Sequence, residues 1–277
     1  MTFRGLAERT KQSYIFRVKR YMDFHKGKDI EQLTEDDIRN FLKYLVEECK
    51  NKRRDVNTYN SAIRFMYGTT LNRVLNLKRI PLFKIQKNKP EMFTKDELKR
   101  FFEACNGQRH SLKYKAMFSL MYSSGLRVSE VIHLNYEDIS RTNMQIYIRN
   151  SKTHSSRYAI LSKRALDILT EYWFKCGKPK GILFPNQWTG EYLTPSATGL
   201  EMRKSVKKAG LPKDVHSHCL RHSFATHLLE DGVDIRYIQS LLGHRSPKST
   251  EIYLHLSNKT VLGIVSPFDK EEGGALG

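Results

Sequence analysis

Two prolines, Pro81 and Pro90, interrupt a basic run, Ile80-Pro81-Leu82-Phe83-Lys84-Ile85-Gln86-Lys87-Asn88-Lys89-Pro90-Glu91-Met92-Phe93, and that run decides how the chain can be laid out. Proline fixes its own φ, lacks an N–H and pushes the preceding residue away from helical geometry, so no regular helix runs through such a segment. The patterns on either side must close separate cores. We therefore divide the chain into a helical domain at 1–84, a linker at 85–93 and a larger second domain at 94–277. A chain of 277 residues is long enough for two such bodies without disulfide or metal staples.

Before the linker the apolar residues recur at helical spacing. Thr10 is expected to cap a run carrying Tyr14, Phe16, Val18, Tyr21 and Phe24. Thr34-Glu35-Asp36-Asp37 puts acids in a first turn ahead of Ile38, Phe41, Leu42 and Leu45, and a third helix is expected over Asn57 to Leu77. After the linker, Thr94-Lys95-Asp96-Glu97 repeats the capping pattern, and an apolar helix over about 112–123 is broken at Gly125 and restarted from Arg127 to Leu134. Between Met144 and Leu161 the period changes. Ile146 and Ile148, then Tyr158 and Ile160, alternate with polar residues and predict two strands joined through Asn150 to Ser156, a hairpin tip bearing Lys152. Helices are expected again from Ala165, with a loop at Gly181 to Gly190 and further helices at 197–209, 221–230 and 235–242. The expected class is α+β, mainly α with a small β-sheet.

Charge narrows the partners. Lys and Arg number 48 against 29 Asp and Glu, a formal net charge of +19, and the excess falls on both sides of the linker. Basic side chains displace counterions condensed on a phosphate backbone, so a nucleic acid is the natural partner. The four cysteines, Cys49, Cys105, Cys176 and Cys219, are scattered without a Cys-x-x-Cys pair, which argues against zinc and redox sites. No stretch offers eighteen uncharged apolar residues and none resembles a signal peptide, so a cytoplasmic protein without membrane attachment is expected.

Three segments carry candidate chemistry. His218-Cys219-Leu220-Arg221-His222-Ser223 sets imidazoles and a guanidinium near a helix start, where unpaired N–H groups already favour anions. Its His pair at i,i+4 lacks the intervening Glu of a metalloprotease helix, so no metal is expected. Leu241-Leu242-Gly243-His244 closes a helix on glycine and presents His244, and Ser249-Thr250-Glu251-Ile252-Tyr253 ends in a tyrosine between apolar neighbours. Taken alone, Tyr253 reads as a packing residue. Together with Gly125-Leu126-Arg127-Val128-Ser129-Glu130, however, these segments match in order and spacing the tyrosine recombinase, or phage integrase, family, which the chain resembles over about 94–258 by motif. Residues 10–80 resemble that family's helical core-binding domain, which grips DNA, by position and pattern only, and 94–277 its catalytic domain.

The resemblance implies a catalytic set of Arg127, Lys152, His218, Arg221, His244 and Tyr253. Two guanidiniums can hold the non-bridging oxygens of a phosphodiester bidentately without a metal, and His244 can donate a further hydrogen bond. Tyr253 would attack phosphorus to form a 3′-phosphotyrosine, with His218 accepting or orienting its proton and Lys152 delivering one to the departing 5′ oxygen. The phosphotyrosine keeps the energy of the broken bond. No cofactor or ATP is therefore expected, and no Gly-x-x-x-x-Gly-Lys-Ser/Thr loop is present. Glu130, one turn after Arg127, would orient the site as a supporting acid or form an ordinary i,i+3 salt bridge. His222 would brace the pocket and His227 would be structural, while His154 and Arg157 share the lysine's neighbourhood. Candidate DNA contacts outside the catalytic domain are Arg53, Arg54, Lys84, Lys87 and Lys89.

The implied activity is site-specific recombination through a Holliday junction, by a homotetramer on double-stranded DNA whose C-terminal tails, near 258–265, reach neighbouring protomers. Two alternatives stand beside it. A type IB topoisomerase would use a similar pocket as a monomer and would not need paired sites, and a DNA-binding regulator on the same scaffold would have lost cleavage.

Overall fold

The computed structural model describes residues 6–85, 91–106, 109–149, 156–178, 180–212 and 215–243, which fall into two units, Met1–Asn88 and Lys89–Gly277. In the first unit three helices form where the apolar periodicity is strongest: α1 (Glu8–Phe24), α2 (Glu35–Glu47) and α3 (Arg53–Phe65). Asp37 accepts a hydrogen bond from the Thr34 N–H at 2.9 Å while the Thr34 hydroxyl accepts from the Asp37 N–H, so the expected capping box starts α2. α1 differs from expectation. It begins at Glu8, with Ala7 at the cap position and no side-chain cap, because the Glu8 carboxylate in the first turn, 3.2 Å from Lys11, already suits the helix dipole. Thr10 thus lies inside the helix.

The third helix also differs: it starts at Arg53 and ends in a π-helical turn, Met66–Thr70, rather than running to Leu77. Gly68 and two β-branched threonines weaken the helix there, and Asn72 at φ 50° turns the chain away. Tyr21, Ile38, Phe41, Leu45, Ile63 and Tyr67 close the core, with the Tyr21 and Tyr67 hydroxyls 3.2 Å apart. The segment that follows is held by side chains. Asn57 donates to the Phe83 carbonyl at 2.9 Å and accepts from the Phe83 N–H at 2.8 Å, while Asn60 and Arg64 donate to the carbonyl of the buried Ile80.

Near the start of the second unit lies the buried Phe93, whose N–H donates to the Ser223 hydroxyl at 2.7 Å. A second threonine capping box, Thr94 with Glu97, starts α4 (Lys95–Ala104). Then come α5 (Arg109–Ser123), α6 (Val128–Ile132), a 3-10 turn at Tyr136–Asp138, β1 (Ile139–Ser140), β2 (Gln145–Ile148), β3 (Arg157–Ile160), α7 (Lys163–Lys175), α8 (Pro195–Lys208), α9 (Ser217–Glu230) and α10 (Ile235–Leu242). The class is as expected, mainly helical with one antiparallel sheet in the order β1-β2-β3.

The parity of β3 is not the expected one. Ile146 and Ile148 are buried, but their partners are Ala159 and Arg157, and it is Tyr158 and Ile160 that face outward, 61% and 41% exposed. Side chains alternate strictly along a strand, so the outward pair and the inward pair exchange together. α5 packs against both α7 and α9. α9 buries residues on every side, including Arg221, Ser223, Phe224, Thr226 and His227, as a helix enclosed by its neighbours must. Among the described residues no helix is long and apolar enough to cross a membrane.

Candidate active site

The site is built around the turn after α5. Gly125 has φ +62°, and a Cβ on it would stand 2.5 Å from the Phe224 ring and 2.8 Å from Leu242, so only glycine lets this turn press against α9 and α10. Two residues on, Arg127 occupies the cap position of α6. Its N–H donates to Glu130 Oε2 and its Nη1 donates to Oε1, both at 2.8 Å, so one carboxylate starts the helix and holds the guanidinium.

Two more guanidiniums reach the same acid from different elements. Arg157, entering from β3, forks onto Glu130 with Nη1 to Oε1 at 2.9 Å and Nη2 to Oε2 at 3.0 Å. Arg221, from α9, brings Nη1 to 3.7 Å from Oε2 and donates to the carbonyls of Gly125 at 2.6 Å and Leu242 at 2.7 Å. Arg221 thus ties the turn to the end of α10. The side chains are 36% exposed for Arg127, 15% for Arg157 and 4% for Arg221, against 12% for Glu130. A carboxylate so covered would resist ionising, but hydrogen bonds from Arg157 and the surrounding guanidinium charge outweigh its burial and hold its pKa at about 2. Glu130 is therefore more than the surface i,i+3 pair considered from sequence. Three cations around one anion leave positive charge over, which is what an incoming phosphate needs.

His218 lies in the first turn of α9, and His222 follows one turn later. Desolvation lowers the His218 pKa, and neighbouring His216, Arg221 and Arg127 lower it further, so its ring sits within electrostatic reach of both predicted arginines. His222 is half-buried and is pushed down to about 4, again mainly by desolvation, then by His218 and His216. Both imidazoles are neutral at pH 7. His227 is buried against the Tyr122 hydroxyl at 3.1 Å, consistent with a structural role.

The structure thus brings Arg127, Glu130, Arg221, His218 and His222 into one region and adds Arg157 to it. Lys152, His154, His244 and Tyr253 lie outside the described residues, as do Lys87, Lys89 and the tail at 258–265. Arg53, Arg54 and Lys84 are exposed in the first unit. Arg157 is the member that sequence reasoning noticed only as a neighbour of the lysine. The signal that could have found it is its place two residues before the small Ala159, on the same face of the strand and opposite Ile148. α10 ends on Gly243 at φ +62°, and Arg157 Cδ fills the space where a Cβ there would sit, at 2.9 Å. A cleft of about 530 Å³ between α4, α5 and α7, lined by Leu98, Phe102, Tyr122 and Arg164, shares no residue with the arginine cluster. A cluster of cations suits a polyanion better than an apolar cleft does.

Comparison with known proteins identifies the family of the chain. Residues 91–260 match the model of the phage integrase family, and residues 1–77 match that of the phage integrase N-terminal SAM-like domain. The putative integrase/recombinase y4qK of Sinorhizobium fredii is 35% identical over 97% of this chain and 86% of its own length. Tyrosine recombinase XerD of Rickettsia bellii is 34% identical, over 91% of each chain. The fold is similar to that of the XerH site-specific recombinase in its post-cleavage complex with palindromic difH substrate, with TM-score 0.73, 21% identity and coverage of 90% of this chain and 77% of that one. It is also similar to a lambda integrase dimer bound to a COC′ core site, with TM-score 0.71, 20% identity and coverage of 90% and 89%. With family models matched in both units and relatives above 30% identical along nearly all of its length, the chain belongs to the phage integrase family and is a tyrosine recombinase.

Proposed function

We propose that the arginine cluster holds the scissile phosphate of a double-stranded recombination site and that Tyr253 attacks it. The Tyr253 oxygen bonds to phosphorus, the 5′ oxygen leaves, and the strand is kept as a 3′-phosphotyrosine until a 5′ hydroxyl from the partner duplex reverses the step. Arg127 and Arg221 stabilise the charge that grows on the non-bridging oxygens, and His244 adds a donor. His218, neutral at pH 7, has a lone pair with which to take or orient the tyrosine proton, and Lys152 protonates the leaving oxygen. The reaction so written needs neither ATP nor a metal. Four protomers would pair two sites and exchange strands through a Holliday junction, with tail residues near 258–265 linking neighbours, in the cytoplasm.

The observation that carries this reading is the meeting of Arg127 and Arg221 on one carboxylate, from elements nearly a hundred residues apart in sequence. The test is incubation with nicked suicide duplexes tiled from the DNA that flanks the chain's own coding sequence. The parent is expected to become covalently attached to one of them, while Tyr253→Phe still shifts the duplex in a gel and forms no adduct. A normal adduct yield from that variant would remove Tyr253 as nucleophile.

A further inference from the structure

Arg157 differs from the other two arginines in how its guanidinium is used. Nη1 and Nη2 take both oxygens of Glu130, and Nε donates to the Leu241 carbonyl at 3.2 Å. Its Cδ also packs against Gly243, so a single side chain ties β3 to α6 and to the end of α10. Arg127, by contrast, makes one side-chain bond to the acid and is the most exposed of the three. The carboxylate has two oxygens, and Arg157 occupies both along a fork-to-fork axis. This leaves Arg127 an end-on contact instead of a fork.

We propose that Arg157 is a positioning residue for strand cleavage: by engaging both oxygens of Glu130 and the carbonyl of Leu241, it keeps that acid from drawing in the Arg127 fork and so leaves Arg127 aimed at the phosphate. This role rests on the reading of Arg127 given above. Without Arg157, Glu130 would turn its vacated oxygens to Arg127, whose fork would then be spent on the protein. The groups facing Glu130 are Arg127 from α6, Arg157 from β3 and Arg221 from α9, with His218 beside the two predicted arginines. Since hydrogen bonding and charge from Arg157 are what chiefly overcome the burial of Glu130, its loss must also raise the pKa of that acid.

The experiment compares the full-length parent with Arg157→Gln, Arg157→Lys, Glu130→Gln and the Arg157→Gln/Glu130→Gln pair, on the suicide duplex to which the parent attaches. Arg157→Gln is expected to bind DNA as the parent does and to cleave about 100-fold more slowly, the scale of a misaimed catalytic group. As the pH falls, its rate is expected to recover toward that of Glu130→Gln at a higher pH than any change in the parent, because Glu130 protonates sooner and releases Arg127, with His218 titrating alike in both. Arg157→Lys, which restores charge without a fork, is expected to recover part of the rate. The double variant is expected to be no slower than Glu130→Gln alone, since a neutral amide no longer competes for Arg127. Parental rates in Arg157→Gln, or a slow rate that does not recover as the pH falls, would overturn the role. So would loss of folding in both Arg157 variants, which would assign the residue to the fold alone. If the parent attaches to no duplex at all, the cleavage reading itself falls, and the role falls with it.

Discussion

Gly125 shows how much of the site depends on one missing side chain. Its carbonyl accepts from Arg221, its φ is positive, and its α-carbon faces Phe224 with no room for a methyl group. Gly125→Ala combines left-handed strain with overpacking against a buried ring, costs of about 1–3 kcal/mol. It is expected to lower the midpoint of thermal unfolding and to reduce adduct yield more than it reduces DNA binding, because the carbonyl that orients Arg221 must shift. A variant that melts and cleaves like the parent would show that the turn can relax. At this scale the sequence was legible where motifs occur in a family's order: Arg127 and Arg221 could be picked out because the segments that carry them, a glycine turn and a helix start, match that family's together. Arg157 could not. Two large apolar residues, Tyr158 and Ile160, advertised the wrong face of a short strand, and only four residues were available to set the parity.

Helices with one apolar face were readable almost to the residue, because a capping threonine and a three-four spacing are local signals; α2 and α4 are the examples. α3 was misplaced at both ends because its termination depends on a π-helical turn and a left-handed Asn72, neither of which periodicity records. α9 was legible only through its motif, since a helix packed on all sides shows no stripe. Its burial has a measurable result. His222 is held neutral down to about 4, against an ordinary value of 6.5, and His218 and His227 are lowered in the same direction by burial. The unfolded chain therefore takes up protons below about pH 6.5 that folded α9 refuses, so stability is full above that pH and falls as the pH drops toward 4. The thermal midpoint is expected to decline between pH 7 and 4.5, and to decline less steeply in His222→Gln. An equal slope in that variant would place the acid sensitivity elsewhere.

For the whole molecule the dominant fact is the surplus of 48 basic over 29 acidic residues, carried by both units. Arg53 and Arg54 stand exposed at the start of α3. If both lie on DNA phosphates, Arg53→Gln/Arg54→Gln is expected to weaken binding uniformly across sequences and to flatten the plot of log affinity against log salt by about 2. Binding isotherms at several salt concentrations measure this, and an unchanged slope would remove both from the backbone contacts. Proline and basic residues punctuate the chain near 80–93 in a way the sequence displays, whereas the side chains that hold residues 80–83 to α3 leave no such mark in it.

Asn57, Asn60 and Arg64 bear on that last point. By offering amide and guanidinium groups to the backbone at Ile80 and Phe83, α3 treats an irregular stretch as if it were an adjoining strand. A fragment severed after Leu77 would forfeit Ile80 from its interior and leave the amides of Asn57 and Asn60 without these partners, so anyone grafting this body elsewhere must carry the chain through Phe83 to keep it whole.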